Sequence, residues 1–271
     1  MTQNDSYQIK VMDSGRDDYT RRLLVFTPTR GTVRMEWVSA RYGQIIPVNW
    51  SMVMMQQFVS SLIPIRYTVA DAQNLACKEV VEKDYEWLLM IEDDTMPPPN
   101  ALVKFNEYIQ KGDIPVVSGL YFTKSDPSEP LIFRGRGTST YNDWKIGDQV
   151  WADGVPTGML LISGKLIKAM WKESPDYDVQ GIKLRKIFHT PTNAWFDASE
   201  GSLMSETGTS DLRWCQDVIN GNFLKKAGFP NIQQKKYPFL VDTSIFCYHI
   251  SPEGVQYPLQ STEQLYRSTS S

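Results

Sequence analysis

The sequence predicts an α/β fold with a mostly parallel central sheet flanked by helices, joined to a smaller, mixed second half. Strand and helix patterns alternate over residues 22–122, which is typical of βαβ units. Short apolar runs bounded by turn residues, such as Trp87–Ile91, are typical of strands buried within a sheet. The length of 271 residues suits one large α/β domain.

The first half of the chain contains six predicted elements. The strand at residues 22–27 is followed by a Pro-Thr-Arg-Gly turn, and residues 69–83 are amphipathic. Residues 100–110 follow three prolines, which favour the start of a helix. We predict strands at 22–27, 87–91 and 114–122 and helices at 33–42, 69–83 and 100–110, while residues 50–59 fit either type.

The second half is more irregular. Residues 123–153 are rich in Gly, Pro, Ser, Asp and aromatic residues, which favours short strands and loops. Residues 172–208 show no regular pattern, and Gly228 is placed to end a helix that precedes it. We predict strands at 155–163 and 239–248 and helices at 164–171 and 210–227.

The predicted organisation is a single domain at 21–250, between a flexible arm at 1–20 and a tail at 251–271. Within the domain, residues 21–122 form one half and residues 123–250 the other; neither a repeat nor a linker divides them. No signal peptide and no apolar run of about 20 residues is present, so we expect a cytoplasmic protein.

Charge and cysteine content exclude some classes of function. A net charge of −3 and a pI near 5.5 give no general attraction to nucleic acid or anionic membrane. The three cysteines have neither metal-ligand spacing nor a disulfide framework. We expect them to be buried, reduced thiols.

Three adjacent carboxylates, Glu92, Asp93 and Asp94, follow the apolar run at 87–91 and precede three prolines. Like charges about 4 Å apart repel by about 4 kcal/mol at an effective dielectric constant of 20. A divalent cation such as Mg²⁺ or Mn²⁺ removes that cost, so the cluster predicts a metal-diphosphate site. The alternative, an acidic turn at a helix N-terminus, explains one acid or two but not three.

Six short motifs occur in an order that resembles the GT-A-fold nucleotide-sugar glycosyltransferases, in particular the family 2-like group of bacteria and phages. The resemblance covers about residues 22–250 and implies a Rossmann-like sheet. The motifs are Thr27-Pro28-Thr29, Gln73-Asn74-Leu75-Ala76, Glu92-Asp93-Asp94, Val155-Pro156-Thr157-Gly158, the Gly-Thr-Ser-Asp start of a helix at 208–211, and Asp242 followed by His249.

The resemblance implies unequal roles for the acids. Asp94 would bind the metal, Mn²⁺ or Mg²⁺, together with His249, while Glu92 would contact the ribose or a metal-bound water. Asp93 would be the spacer between them. The same resemblance places the nucleotide-sugar donor against residues from four motifs. These donor-binding residues are Thr27, Pro28, Thr29, Arg30, Asp71, Asn74, Glu92, Asp93, Thr157 and Gly158.

One of these segments has a simpler interpretation, and another departs from the family's pattern. Residues 27–31 also fit an ordinary Pro-Gly turn, and Gln73 stands where the family has a phosphate-directed arginine. A base that removes the acceptor's proton is expected at Asp211, which also fits a helix N-cap, with Glu206 as a substitute. A base at this position slightly favours inversion.

The resemblance implies a UDP- or GDP-type donor and an acceptor hydroxyl on a glycan, a protein or modified DNA. Trp195, in a polar stretch, is the candidate acceptor-site aromatic, whereas Trp214 is expected in the core. Two alternatives stay open: a nucleotidyltransferase, whose glycine-rich signature is poorly matched after the first strand, and a non-catalytic module that binds carbohydrate or nucleic acid.

Overall fold

A computed structural model describes residues 22–50, 62–135, 139–197 and 202–259, without the side chains of 139, 192–197 and 202–207. The predicted arm at 1–20, residues 51–59 of the ambiguous segment and most of the predicted tail lie outside these residues.

The described residues form fifteen strands and seven helices. The strands are β1 (Leu23–Phe26), β2 (Trp87–Ile91), β3 (Thr95–Met96), β4 (Val116–Leu120), β5 (Phe133–Arg134), β6 (Ser139–Thr140), β7 (Gln149–Ala152), β8 (Met159–Ser163), β9 (Asp176–Val179), β10 (Ile182–Arg185), β11 (Thr192–Asp197), β12 (Ser202–Thr207), β13 (Phe239–Phe246), β14 (Tyr248–Ile250) and β15 (Gln256–Tyr257). The helices are α1 (Met35–Tyr42), α2 (Val69–Glu82), α3 (Ala101–Lys111), α4 (Gly164–Glu173), α5 (Ser210–Asn220), α6 (Phe223–Lys226) and α7 (Pro230–Gln233).

The central sheet has six strands in the order β1-β2-β8-β4-β13-β7. Four of them run in one direction, which confirms the mostly parallel sheet, while β7 and β8 run in the other. Because β8 is antiparallel to β2, Met159 at its start lies beside Ile91 at the end of β2. The carboxyl ends of β1, β2 and β4 and the amino end of β8 therefore meet at one edge, the site edge.

The sheet is buried on both faces, which explains its continuous apolar strands. Along β2, Leu88 and Met90 join the core on the side of α2, α4 and α5, whereas Leu89 and Ile91 join the core on the side of α3. This alternation follows from the two-residue period of a strand. Helices thus cover both faces, as predicted.

The prediction of an irregular segment at 172–208 was wrong, because this segment forms two hairpins, β9–β10 and β11–β12. The first hairpin turns at Gln180 and Gly181, both with positive φ (55° and 81°). A two-residue turn of this kind matches the twist of the paired strands, and the Gln-Gly pair was its sequence signal.

Two predicted elements are interrupted. The helix predicted at 210–227 ends at Asn220, because Asn222 takes a left-handed conformation (φ 55°) before α6 begins. The last strand has a bulge between Asp242 and Phe246, and the chain then starts β14, which pairs with β3 and β15. This small sheet lies next to the site edge.

Two further findings concern the cysteines and the length and polarity of the helices. All three cysteines are buried and free, as expected. Among the described residues, no helix has the length and apolar character that crossing a membrane requires.

Candidate active site

The acidic cluster lies at the site edge, where loops from four strands converge. Residues 92–94 follow β2, residues 27–30 follow β1 and residues 121–124 follow β4, while residues 155–158 precede β8. In open α/β sheets, ligands bind outside the carboxyl ends of the strands. The three carboxylates have different surroundings there, so they are not chemically equivalent.

Asp94 faces a lysine ammonium group and an imidazole ring. Its Oδ2 atom accepts a hydrogen bond from Lys124 Nζ at 2.6 Å and lies 3.3 Å from His249 Nε2. Burial alone would raise the pKa of Asp94, but the hydrogen bonds and charges of His249 and Lys124 outweigh it and lower that pKa to about 2. Asp94 is therefore a carboxylate at neutral pH, and its buried Oδ1 atom has no hydrogen-bond partner among the residues that the structure describes.

The ring of His249 is fixed by the backbone. Its Nδ1 atom lies 2.8 Å from the carbonyl oxygen of Phe122. A carbonyl only accepts hydrogen bonds, so Nδ1 carries the proton and Nε2 faces Asp94. Pairing of His249 with Thr95 in the small sheet and an edge-to-face contact with Tyr121 at 5.4 Å hold the ring in place. A backbone acceptor on one ring nitrogen is the usual way to orient a metal-binding histidine.

Glu92 differs from Asp94 because burial, together with the charge of Asp94, raises its pKa to about 8. Its side chain accepts a hydrogen bond from the Thr157 hydroxyl at 2.8 Å, and this bond opposes the rise. Its backbone carbonyl accepts a hydrogen bond from the Trp37 indole at 2.7 Å. In this structure Glu92 is thus largely protonated at neutral pH.

A buried chain of hydrogen bonds connects Glu92 with helix α5. The Ser210 hydroxyl donates to Gln73 Oε1 at 3.0 Å, and Gln73 Nε2 donates to the Thr157 hydroxyl at 3.0 Å. Thr157 in turn donates to Glu92. Gln73 is completely buried and serves as a connector between three elements.

Asp211 lies in the first turn of α5. It accepts hydrogen bonds from the Thr209 hydroxyl and from the backbone N–H groups of Leu212 and Thr157, which lower its pKa. Loss of hydration outweighs them, so the pKa of Asp211 is raised. The side chain of Thr209, the N-cap residue, makes no capping hydrogen bond. A carboxyl group with a raised pKa is the kind of group that accepts a proton during catalysis.

The loop after β1 holds the spacer acid. The Thr29 hydroxyl and the Arg30 backbone N–H both bond to Asp93, but burial and the charge of Asp94 still leave the pKa of Asp93 raised. Thr27 and Pro28 are buried, and the Thr27 hydroxyl has no partner in the described structure. Arg30 is exposed at the site edge. The predicted donor loop and the acidic loop are thus in contact.

Gly158 is required by its neighbours in the protein. A Cβ atom at this position would overlap the Tyr121 hydroxyl and crowd the Thr95 hydroxyl. The backbone N–H of Gly158 donates to the Tyr121 hydroxyl at 2.7 Å, and its carbonyl accepts from the N–H of Glu92 at 2.9 Å. We expected this glycine to allow close approach of a ligand; packing against Tyr121 is sufficient to explain it.

Asp71 and Asn74 already have partners in the protein. Asp71 accepts hydrogen bonds from Thr68, the N-cap of α2, and from the Tyr177 hydroxyl. The Asn74 amide donates to Tyr177 and to the Phe188 carbonyl, and its oxygen accepts from the Phe188 N–H. These contacts attach α2 to the first hairpin, and contact of either residue with a donor stays a prediction.

Two candidate side chains lie outside the described atoms. The backbones of Trp195 and Glu206 belong to the second hairpin, where Trp195 pairs with Met204. Their predicted roles are not tested. Trp214 is completely buried and stacks on Phe188 and Phe239, which confirms its place in the core.

Sequence reasoning missed Lys124, Tyr121 and Trp37. Tyr121 and Lys124 directly follow β4, and a signal existed, because the ends of parallel strands share one edge of a sheet. Trp37 gave no such signal, since its indole reaches the acidic loop from α1.

The donor set around Asp94 fits a metal ion that keeps ligands from elsewhere. Among the described residues, no three His, Cys, Asp or Glu side chains converge to enclose a metal. Asp94 and His249 could supply two ligands, and among the described residues the Oδ1 atom of Asp94 has no hydrogen-bond partner. Mg²⁺ and related ions are commonly held by one or two protein groups plus water and phosphate oxygens. Two protein ligands, as Asp94 and His249 would provide, are enough for a site of this kind.

No protein-family model and no curated protein matches the chain. Among solved structures, A197 from STIV aligns over 87% of this chain and 88% of its own, with 17% identity and a TM-score of 0.50. TarS from S. aureus in complex with UDP aligns over 57% of this chain and 50% of its own, with 13% identity and a TM-score of 0.35.

The likeness to A197 extends over most of both chains and shows a shared fold. The weaker likeness to TarS adds nothing to that statement. The fold is the Rossmann-like GT-A arrangement: a mostly parallel central sheet between helices, with a smaller antiparallel sheet beside it.

Proposed function

We propose that this protein is a metal-dependent glycosyltransferase that moves a sugar from a nucleoside diphosphate donor to a hydroxyl group. The pairing of Asp94 with an oriented His249 at the site edge carries the proposal. The carboxylate of Asp94 lies beside an imidazole nitrogen of His249, and its buried Oδ1 atom has no hydrogen-bond partner among the described residues. Such a pair would bind one side of a cation. The GT-A-like fold supports the same conclusion.

Asp94 and His249 would hold Mn²⁺ or Mg²⁺ together with oxygens of the donor's diphosphate. Mixed nitrogen and oxygen ligands suit Mn²⁺ better than Mg²⁺, which prefers oxygen. When bound, the ion supplies Lewis-acid stabilisation of the negative charge on a departing nucleoside diphosphate.

The rest of the donor site would be built by the loops that meet Asp94. Thr27, Pro28, Thr29 and Arg30 would contact the nucleobase and a phosphate, because Thr29 and Arg30 of this loop bond to Asp93 and Arg30 is exposed. Glu92 would contact the ribose or a metal-bound water. Thr157 and Gly158 would line the sugar pocket at the start of β8.

Asp211 would accept the acceptor's proton. It lies at the start of α5, next to Thr157, and its raised pKa makes it a stronger base than an exposed aspartate. A positioned general base contributes about 10²–10⁴-fold to a rate. A base at this point favours inversion. The acceptor is a glycan, a protein or modified DNA, with Trp195 as an aromatic contact and Glu206 as a second carboxylate.

The test compares wild type with Asp94→Asn, and with Asp113→Asn in an exposed loop as the matched control. Each protein is titrated with UDP and GDP, with and without Mn²⁺, and slow hydrolysis of UDP- and GDP-sugars is followed. We expect wild type and Asp113→Asn to bind one nucleotide with Mn²⁺ and to hydrolyse its sugar. Asp94→Asn should lose at least about 100-fold in the metal-dependent rate.

Two results would contradict the proposal. If wild type binds neither nucleotide in the presence of Mn²⁺, the protein is not a glycosyltransferase of this class. If it binds nucleotide but Asp94→Asn keeps the full metal-dependent rate, the metal lies elsewhere.

A further inference from the structure

Lys124 is the cation closest to the proposed metal ligand. Its ammonium nitrogen lies 2.6 Å from Asp94 Oδ2, the same oxygen that faces His249 Nε2. Its charge also lowers the pKa of Asp93. Lys124 is therefore placed to neutralise the acidic loop.

The position of Lys124 is set by the sheet. It lies four residues beyond the end of β4, and the backbone N–H of Thr123 just before it is fixed to the Glu129 carbonyl at 2.9 Å. About a quarter of its side chain is exposed, and so is about a third of that of Asp94, so the pair lies at the mouth of the site. A flexible lysine stem at such a place can exchange one anionic partner for another.

We propose that Lys124 is a binding residue of the donor site: its ammonium group pairs with Asp94 until a metal ion binds, and it then binds the donor's diphosphate. The inference rests on the proposed function and adds a binding residue that the sequence motifs do not contain. A divalent ion held between Asp94 and His249 would repel the ammonium that lies 2.6 Å from Asp94 Oδ2, so the two cations compete for this carboxylate. A diphosphate brings the oxygens that the displaced ammonium needs.

The proposal has two consequences of opposite sign. Removal of the Lys124 charge should strengthen Mn²⁺ binding in the absence of nucleotide, because the competitor for Asp94 is gone. The same change should weaken nucleotide binding in the presence of metal, because an ammonium contact to the diphosphate is lost, and should leave metal-free nucleotide binding nearly unchanged, because Lys124 then pairs with Asp94. A merely structural lysine would not change the two affinities in opposite directions.

The variants for the test are Lys124→Met, which keeps length without charge, and Lys124→Arg, which keeps the charge. Lys225→Met, an exposed lysine on α6 outside the site, is the matched control. Binding of Mn²⁺ alone is measured from the electron paramagnetic resonance of the free ion. Binding of UDP and GDP is measured by calorimetry in EDTA and then with saturating Mn²⁺.

For Lys124→Met we expect a several-fold tighter Mn²⁺ affinity, an approximately tenfold weaker nucleotide affinity with saturating Mn²⁺ and nearly unchanged nucleotide affinity in EDTA. Lys124→Arg should keep most of the nucleotide affinity, and Lys225→Met should match wild type in every measurement. If Lys124→Met binds Mn²⁺ and nucleotide as wild type does, the role of Lys124 is overturned while the proposed function stands. If wild type binds no nucleotide, the proposed function fails and this inference fails with it.

Discussion

At the scale of single residues, Asp211 is the side chain whose chemistry depends most on its surroundings. Four hydrogen bonds favour its charged form, yet loss of hydration leaves the pKa of the carboxyl group raised. The folded protein therefore holds this proton to a higher pH than the unfolded chain does. Folding stability must fall as the pH rises through that pKa, since charging Asp211 is disfavoured only in the folded state.

We predict that Asp211→Asn lowers the rate of donor hydrolysis at pH 7 by about 100-fold or more, because the base is lost. The free energy of unfolding should stay within about 1 kcal/mol of wild type, since a neutral amide avoids the cost of the buried charge. The wild-type rate should fall as the pH falls through the raised pKa of Asp211, and the variant should lack that decline. Hydrolysis rates from pH 4 to 9 and denaturant unfolding measure both effects.

Asp217→Asn is the control for this change. Asp217 lies on the same helix and accepts a hydrogen bond from Arg213, but it is not part of the site edge. Its replacement should leave the pH profile of hydrolysis unchanged. A wild-type rate for Asp211→Asn across the whole pH range would remove Asp211 from the mechanism.

At the scale of elements, one buried glutamine joins a helix, a loop and a second helix. Gln73 on α2 accepts a hydrogen bond from the Ser210 hydroxyl of α5 and donates one to Thr157 in the loop before β8. Asp211 follows Ser210 directly, so this bond positions the start of the helix that carries the proposed base. Gln73 is a positioning residue, because it acts through its two neighbours.

We predict that Gln73→Leu and Ser210→Ala each lower the free energy of unfolding by about 1–3 kcal/mol, because each leaves a buried polar partner unsatisfied. The double variant should cost less than the sum by about 0.5–3 kcal/mol, the coupling expected of residues that share a hydrogen bond. Denaturant unfolding of the four proteins measures this cycle.

Gln73→Leu combined with Ser174→Ala is the matched pair. The Ser174 hydroxyl bonds the Met170 carbonyl and shares no partner with Gln73, so these effects should add. If the losses of unfolding free energy from Gln73→Leu and Ser210→Ala also add, the hydrogen bond between Gln73 and Ser210 does not contribute to stability.

The bulge in β13 is the element that brings His249 to the site. Asp242, buried within the strand, accepts hydrogen bonds from the Tyr108 hydroxyl and from both the N–H and the hydroxyl of Ser244. These bonds satisfy the carboxylate and fix the irregular residues 243–245. The chain then leaves the sheet and enters β14, so the late Asp242 of the sequence motif is structural.

At the scale of the whole molecule, stability is unevenly distributed. Strand β8 is fully buried between β2 and β4, whereas β9 and β10 are partly exposed and, within the part of the chain that the structure describes, pair only with each other. We therefore expect the cooperative core to include the strand that starts at Met159, and the first hairpin to lie outside it.

We predict that backbone amides of β8 exchange with deuterium only through global unfolding, while those of β9 and β10 exchange through local opening. Hydrogen exchange followed by mass spectrometry at increasing, sub-denaturing concentrations of guanidinium measures this. The β8 rates should rise steeply with denaturant, because their exchange exposes the whole core, and the hairpin rates should barely change. Equal denaturant dependence in the two segments would contradict an independent hairpin.

Much of the fold was predictable where local pattern and burial agree. The α2 helix was predicted to within one residue, because its amphipathic face packs on the sheet, and β2 was predicted at its actual bounds. The hairpins at 176–207 were missed because most of their strand residues are polar or mixed, without an apolar face of the usual period. The break at Asn222 was missed because a left-handed asparagine leaves little trace in a helical pattern.

The sequence by itself determined the α/β class, the acidic loop at a strand end and, by resemblance, the pairing of Asp94 with His249. These follow from short-range apolar pattern and from motif order, which a single chain displays directly. Tertiary structure alone decided that Lys124 lies against Asp94, that Gln73 connects Ser210 with Thr157, and that Glu92 is neutral while Asp94 is charged. Distance and burial govern hydrogen bonds and pKa values, and both arise only when residues far apart in sequence meet at one edge of the sheet.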